Sequence, residues 1–309
     1  MVVENLRIAL NSLGANKLRA ALTMLGIMIG VAAVITLLSI GDGVTRFIAE
    51  QFSGLGSNLV FIIPAQEEPG RPGSDPLVES SLTLRDVELL TDPALLPGAE
   101  AVAPSLLREA ELRYAGEVRS VALRASTPDY LVAWGLEVAV GEFFTATEYN
   151  GRSRVVVLGP ETVTNLFPEN VDPIGEEIKI NGLTFRVMGV LASQGAGMFG
   201  GSRDDVAIVP LTTAQDRLFN NRSQRTGEFL VDAILMKAVD EAAIDGAIID
   251  ASDVLRQSHN INFRDADDFQ ILTQQDFLDA FGSVTSVLTV FLGAIASISL
   301  LVGGIGIMN

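Results

Sequence analysis

Residues 21–40, "ALTMLGIMIGVAAVITLLSI", contain no charged side chain, and none occurs from Gly282 to Asn309 either. An α-helix rises ~1.5 Å per residue, so about twenty apolar residues cross the ~30 Å hydrocarbon layer of a bilayer. In lipid such a segment must satisfy its own backbone hydrogen bonds, which selects the helix. The chain is therefore expected to carry one membrane-spanning helix near each end, with residues 42–281 folded between them. Its 48% hydrophobic content and mean hydropathy of +0.37 come disproportionately from these two blocks.

Charge gives the expected orientation. Arg7, Lys17 and Arg19 against Glu4 leave residues 1–20 at +2, and residues 21–41 and 282–309 hold no charge. The whole chain carries −17, so residues 42–281 carry −19. Basic residues stay on the cytoplasmic side, which predicts a cytoplasmic (inner) membrane protein with its N-terminus inside and about residues 42–281 extracytoplasmic. A segment this acidic repels phosphates, so nucleic acid is not an expected partner. The first apolar run exceeds the ~7–15 residues of a signal-peptide h-region and lacks an A-x-A-like site before "GDGVTRF", so a retained helix is expected. With no cysteine in the sequence, disulfides and thiolate chemistry are excluded.

Between the spans the pattern alternates strands and helices. Residues 4–19 place Leu6, Leu10 and Leu13 on one face. They read as an amphipathic helix in the headgroup layer, simple extension of the first span being the alternative. The first span is expected to continue to about Phe52. "NLVFIIP" reads as a strand, "QEEPGRPGSDPLVESS" as a loop, and "SLTLRDVELLTD" as a capped helix. Six strands follow, in "AVAPSLLREAELRY", "EVRSVALRAST", "SRVVVLG", "EEIKING", "LTFRVMGVL" and "DDVAIVP". Asn181-Gly182 joins the fourth and fifth as a hairpin. Short helices are expected in "TPDYLVAWG" and "PETVTNLFP", then strand, helix and strand in "EFLVDAILMKA", "DEAAIDGAIIDASDVLRQSH" and "FQILTQ".

The fold class is thus an α+β extracytoplasmic domain of two lobes flanked by two transmembrane α-helices. The expected segments are 1–19 (cytoplasmic amphipathic helix), 20–53 (first spanning helix with an external extension) and 274–309 (stalk and second spanning helix). One lobe is drawn from 54–110 and 227–273, the other from 111–226. At the last junction, Phe277, Leu278 and Phe281 continue into the apolar span without a proline, so the second helix reads as a stalk that couples the external domain to the membrane.

No catalytic, cofactor or metal site is read from the motifs. "GAGMFG" (195–200) matches G-x-G-x-x-G, but a polar turn and a strand follow it where a pyrophosphate site needs a helix N-terminus. No G-K-[ST] P-loop exists, and no G-x-S-x-G accompanies His259, which reads as a solvated loop histidine. The pairs Asp204/Asp205 and Asp267/Asp268 would point in different directions on strands rather than converge on a cation. In the spans, Gly26 and Gly30, and Gly293 and Ser297, repeat small residues at i, i+4, a spacing that lets another helix approach closely.

Four stretches carry a family resemblance: "NKLRAALTMLGIMIGVAAVITLLSIGDG" (16–43), "LFPENVDPIGEEIKINGLTFRVMGVL" (166–191), "SRDDVAIVPLTTAQDRL" (202–218) and the closing "LLVGGIGIMN". They resemble MacB-type ABC transporter permeases of the FtsX-like superfamily, in order and over essentially the whole chain. The resemblance implies four membrane helices with a large external domain between the first two, its lobes of the Porter and Sabre kinds. It implies a homodimer with separate ABC ATPase subunits, a membrane-fusion adaptor protein, and mechanotransmission that drives efflux of peptides, antibiotics or toxins. On this reading the chain is a partial one that stops short of the family's later helices. The alternatives are an FtsX-like signalling permease that regulates a cell-wall hydrolase, and a lipoprotein-releasing permease.

Overall fold

The structure, a computed structural model, describes residues 17–53, 58–65, 81–195, 202–223 and 226–308. The expected amphipathic segment before Lys17 and all of "GAGMFG" but Gly195 lie outside the described residues. The chain divides into two units, Met1–Glu50 with Asp276–Asn309, and Gln51–Gln275.

The first unit contains most of α1 (Lys17–Ser53) and most of the last helix, α8 (Gln274–Met308). At ~1.5 Å per residue their 37 and 35 residues measure about 55 and 52 Å, well beyond a ~30 Å hydrocarbon layer. Within them Met24–Val44 and Gln274–Ile298 are long and apolar enough to cross a membrane. Met28, Ile29, Val287 and Val290 are 60–72% exposed, apolar surface of an extent that water-facing helices do not carry. Three hydroxyls on α8 are satisfied inside the helix: Thr285 Oγ1 donates to the Phe281 carbonyl at 3.0 Å, Thr289 Oγ1 to the Thr285 carbonyl at 2.7 Å and Ser297 Oγ to the Gly293 carbonyl at 2.8 Å. Each polar group thereby finds a partner without leaving its own helix.

The second unit is a mixed sheet with helices. Its strands are β1 (Leu59–Pro64), β2 (Ala99–Tyr114), β3 (Glu117–Ser126), β4 (Val138–Gly141), β5 (Val155–Leu158), β6 (Glu177–Ile180), β7 (Leu183–Leu191), β8 (Val206–Pro210), β9 (Ala233–Ala238) and β10 (Phe269–Thr273). Its helices are α2 (Leu84–Leu90), α3 (Tyr130–Ala133), α4 (Ala146–Asn150), α5 (Pro160–Leu166), α6 (Leu211–Arg217) and α7 (Ile244–Ser258). The strand order is β10-β1-β9-β2-β3-β8-β5-β7-β4, with β6 bridging β2 and β7. Antiparallel pairing prevails, the β3–β8 and β5–β7 pairs being parallel.

The 16-residue β2 organises this sheet. Its first part, Ala99–Ser105, pairs with β9, and Leu106–Tyr114 pairs with β3. One strand therefore belongs to both ends of the sheet, and the expected lobe boundary at 110/111 falls inside it. Buried Val60, Ile62, Val102 and Met236 join Leu255 of α7 and Leu90 of α2 in one apolar core that continues through Leu123, Val156, Phe185 and Val209. The β6–β7 hairpin turns on Asn181 (φ 49°) and Gly182 (φ 84°), the left-handed pair that a two-residue type I′ turn needs. The structure adds three elements that the sequence reading lacks: β4, α4 and α6.

Candidate functional site

The two apolar helices come close at Gly41 of α1 and Thr285 of α8. Gly41 is buried, and a Cβ built on it would sit 2.4 Å from Thr285 Cγ2. Any larger residue would collide with a β-branched side chain that has little freedom to turn away. The four small residues singled out for helix packing behave differently. Gly30 is buried, whereas a Cβ on Gly26 or Gly293 would meet nothing within 4 Å, and Ser297 is exposed. Among the described residues, Gly26 and Gly293 are thus not brought against a neighbouring helix, and Ser297 lies on the exposed surface of α8.

β10 ends at Thr273 and α8 begins at Gln274, so no loop separates the edge strand from the helix. Phe277, Leu278 and Phe281 are half-buried near the start of α8. The other end of β10 is tied to α2 and α7 by His259, the residue that caps α7. Its Nδ1 lies 2.7 Å from Asp268 Oδ1, and its Nε2 lies 3.2 Å from Asp86 Oδ2. The second contact has ion-pair distance, but its N–H direction falls short of hydrogen-bond geometry. The ring also stands edge-on to Phe269, with centroids 6.0 Å apart.

Asp86 is 1% exposed and serves several donors. It is the third residue of α2 and closes a capping box: Thr83 N and Thr83 Oγ1 both donate to Oδ2 at 2.8 Å, and Asp86 N returns a bond to Thr83 Oγ1 at 3.4 Å. Ser258 Oγ donates to the other oxygen at 2.6 Å. Burial works against the Asp86 carboxylate, but His259, Ser258 and Thr83 together hold its pKa below the ordinary value. Burial likewise opposes charge on His259, yet the two carboxylates prevail and push its pKa up to about 9. The imidazolium and its carboxylates form a clasp at neutral pH.

His259 is therefore not the solvated loop residue expected from sequence; its side chain is 9% exposed. The error has a physical source: Asp86, which draws the ring inward, is remote in the chain. A Ser-His-Asp relay is not formed, because Ser258 bonds Asp86 and both ring nitrogens face carboxylates. The two acidic pairs are engaged by protein donors. Asp267 pairs with Arg256 and Asp268 with His259, while Asp204 accepts from Ser193 Oγ and Gln194 N and Asp205 from Thr162 Oγ1.

Residues 20–252 match the family model described as MacB-like periplasmic core domain. The chain belongs to this family. MacB of Azoarcus sp. (strain BH72), named a macrolide export ATP-binding/permease protein, aligns at 36% identity over 308 residues, 100% of this chain and 44% of that protein. The protein of the same name from Rhodospirillum rubrum is 36% identical over 99% of this chain and 44% of its own length. This MacB-like chain thus spans less than half the length of the curated relatives it matches. Among solved structures, the periplasmic region of MacB from Actinobacillus actinomycetemcomitans superposes with a TM-score of 0.59 at 20% identity, covering 76% of this chain and 97% of that one. The extracellular domain of the noncanonic ABC-type transporter YknZ from Gram-positive bacteria gives 0.54 at 17% identity, covering 70% and 100%. The α+β domain flanked by two apolar helices is a MacB-like periplasmic fold.

Proposed function

We propose that this MacB-like chain is permease machinery of an ABC exporter, working by mechanotransmission. Residues 1–19 lie at the cytoplasmic face, α1 and α8 cross the inner membrane, and residues of about 42–281 stand outside. ATP is hydrolysed by a separate ATPase subunit, and the resulting closure of two permease copies moves the external domains. The lobes, 54–110 with 227–273 and 111–226, then act on a cargo of peptide, antibiotic or toxin class handed to a membrane-fusion adaptor. Gly26, Gly30, Gly293 and Ser297 serve helix packing: Gly30 is already buried, and helices beyond those of this chain cover Gly26, Gly293 and Ser297, a Cβ on either of these two glycines meeting nothing within 4 Å.

The observation that carries the reading is the uninterrupted helix from Gln274 to Met308, which begins at the residue after β10. A helix continuous with a sheet strand transmits displacement because no flexible segment absorbs it. Phe277, Leu278 and Phe281 are the residues through which that displacement is transmitted. The relatives' names support the exporter class.

The test coexpresses the full-length permease with the neighbouring ATPase subunit and inserts a flexible Gly/Ser segment between Asp279 and Ala280. Drug or peptide resistance is expected to fall to the background level while the ATPase still assembles. Unchanged resistance would refute the stalk.

A further inference from the structure

A cavity of about 180 Å³ opens where β2 changes partners from β9 to β3. Its floor is apolar, formed by Ala122, Leu136, Leu191 and Ile208. One wall is aromatic: Tyr130 and Trp134 of the α3 turn lie nearly parallel, 5.9 Å between centroids at 13°, and Trp134 meets Phe61 of β1 edge-on at 5.9 Å and 84°.

One cation in this cavity is Arg124 of β3. Its guanidinium carbon stands 5.6 Å from the Tyr130 ring centre and 5.5 Å from that of Trp134, and Nη1 donates to Ser105 Oγ at 2.7 Å. Arg124 is half-buried, and no carboxylate among the described residues lies within ion-pair distance of it. A second guanidinium, Arg203, lines the same space, its pKa lowered by burial. The acids that line it, Asp204 and Asp205, accept hydrogen bonds from Ser193, Gln194 and Thr162. Arg124 spends an N–H on the Ser105 hydroxyl and keeps others that an incoming oxyanion can accept from.

We propose that this cavity is a binding site for a carboxylate carried on an apolar group about the size of one aromatic ring. An apolar cavity of about 150 Å³ accepts benzene, so the space suffices for a ring. The Tyr130–Trp134 wall would face the apolar part, and Arg124 would take the carboxylate, an oxyanion its planar fork suits. The site is independent of the exporter reading, since it needs neither ATPase nor adaptor.

Trp134 is the single tryptophan of the sequence, so its emission reports the site directly. The purified chain in detergent is titrated with phenylacetate and with uncharged 2-phenylethanol. Phenylacetate is expected to change Trp134 emission saturably, with a Kd on the order of 1 mM or tighter, and 2-phenylethanol to bind at least ~10-fold more weakly. Arg124→Gln should weaken phenylacetate at least ~10-fold, and Arg124→Lys should recover part of that loss. Ala192→Phe, which fills the cavity and keeps every charge, should abolish binding and guards against an unfolded Arg124 variant. The absence of a saturable change, equal binding of the two probes, or binding that survives Ala192→Phe would overturn the site.

Discussion

A Cβ placed on Gly41 would lie 3.6 Å from Thr285 Cβ, which puts the two long helices within crosslinking distance at one defined level. Disulfides form across Cβ separations of about 3.5–4.5 Å. The sequence contains no cysteine, so the double variant Gly41→Cys/Thr285→Cys has only its new pair to oxidise. It should form an intramolecular disulfide, seen as a reducible shift on a gel. Gly26→Cys/Gly293→Cys should give no such intramolecular shift, and Gly26→Cys alone should report a second copy as a crosslinked dimer.

Enlarging the same glycine has the opposite consequence. Gly41→Leu drives a side chain into Thr285 and should lower the stability of the helix pair by about 1–3 kcal/mol, the usual range for overpacking. The thermal midpoint in detergent measures it. Thr285→Ala in the same background removes Cγ2 and should restore part of the loss.

The clasp sets a dependence on pH. His259 has an ordinary pKa of 6.5 and is pushed to about 9 in the fold, so its contribution is complete below about pH 6.5 and disappears as pH rises through about 9. Asp86 is shifted downward, so its contribution is complete above its ordinary value of 3.8 and is lost as pH falls through its lower folded value. The melting midpoint should therefore drop on the alkaline side between about pH 7 and 10. In His259→Leu, which leaves Asp86 buried beside an apolar group, stability should be lower by about 2–4 kcal/mol and that alkaline slope should flatten.

Thr83→Ala removes the hydroxyl that exchanges bonds with Asp86 and should cost about 1 kcal/mol, whereas Thr83→Ser should be close to neutral. Combined with His259→Leu the losses should not add, because both partners act on one carboxylate. A double-mutant cycle on the melting midpoints reads this coupling.

The hairpin at Asn181-Gly182 gives a local check. Gly182→Val forces a β-branched residue to φ 84° and should cost about 1–3 kcal/mol. Gly43→Ala, inside α1 where a Cβ meets nothing within 4 Å, should by contrast raise stability by up to about 1 kcal/mol.

What could be read from the sequence was local. The Asn181-Gly182 hairpin, the Thr83 cap and the run from Gln274 onward each announce themselves within a few residues. The short α4 also carries a local signal, the T-x-x-E capping box of Thr145 and Glu148. β4 offered less, being four residues long and irregular in its pairing with β7. The remaining omissions are products of distance along the chain. Nothing near "RQSHNINF" indicates that Asp86 will claim the ring, and nothing near "GDG" indicates that Thr285 will press against Gly41. The setting of Arg124 is of the same kind, since it comes from β2, α3 and β8 together.

β1 and β10 are antiparallel neighbours, with Val60 opposite Thr273 and Pro64 opposite Phe269. The chain therefore arrives on one strand and departs on its neighbour at the same end of the ladder. Neighbours held in this way behave like the two sides of a zip: drawn in step they remain shut, but spread at the open end they part rung by rung from Val60 and Thr273. The bonds at the sheet's edge are spared when the two attachment points move together, and they are loaded one rung at a time when those points are drawn apart sideways.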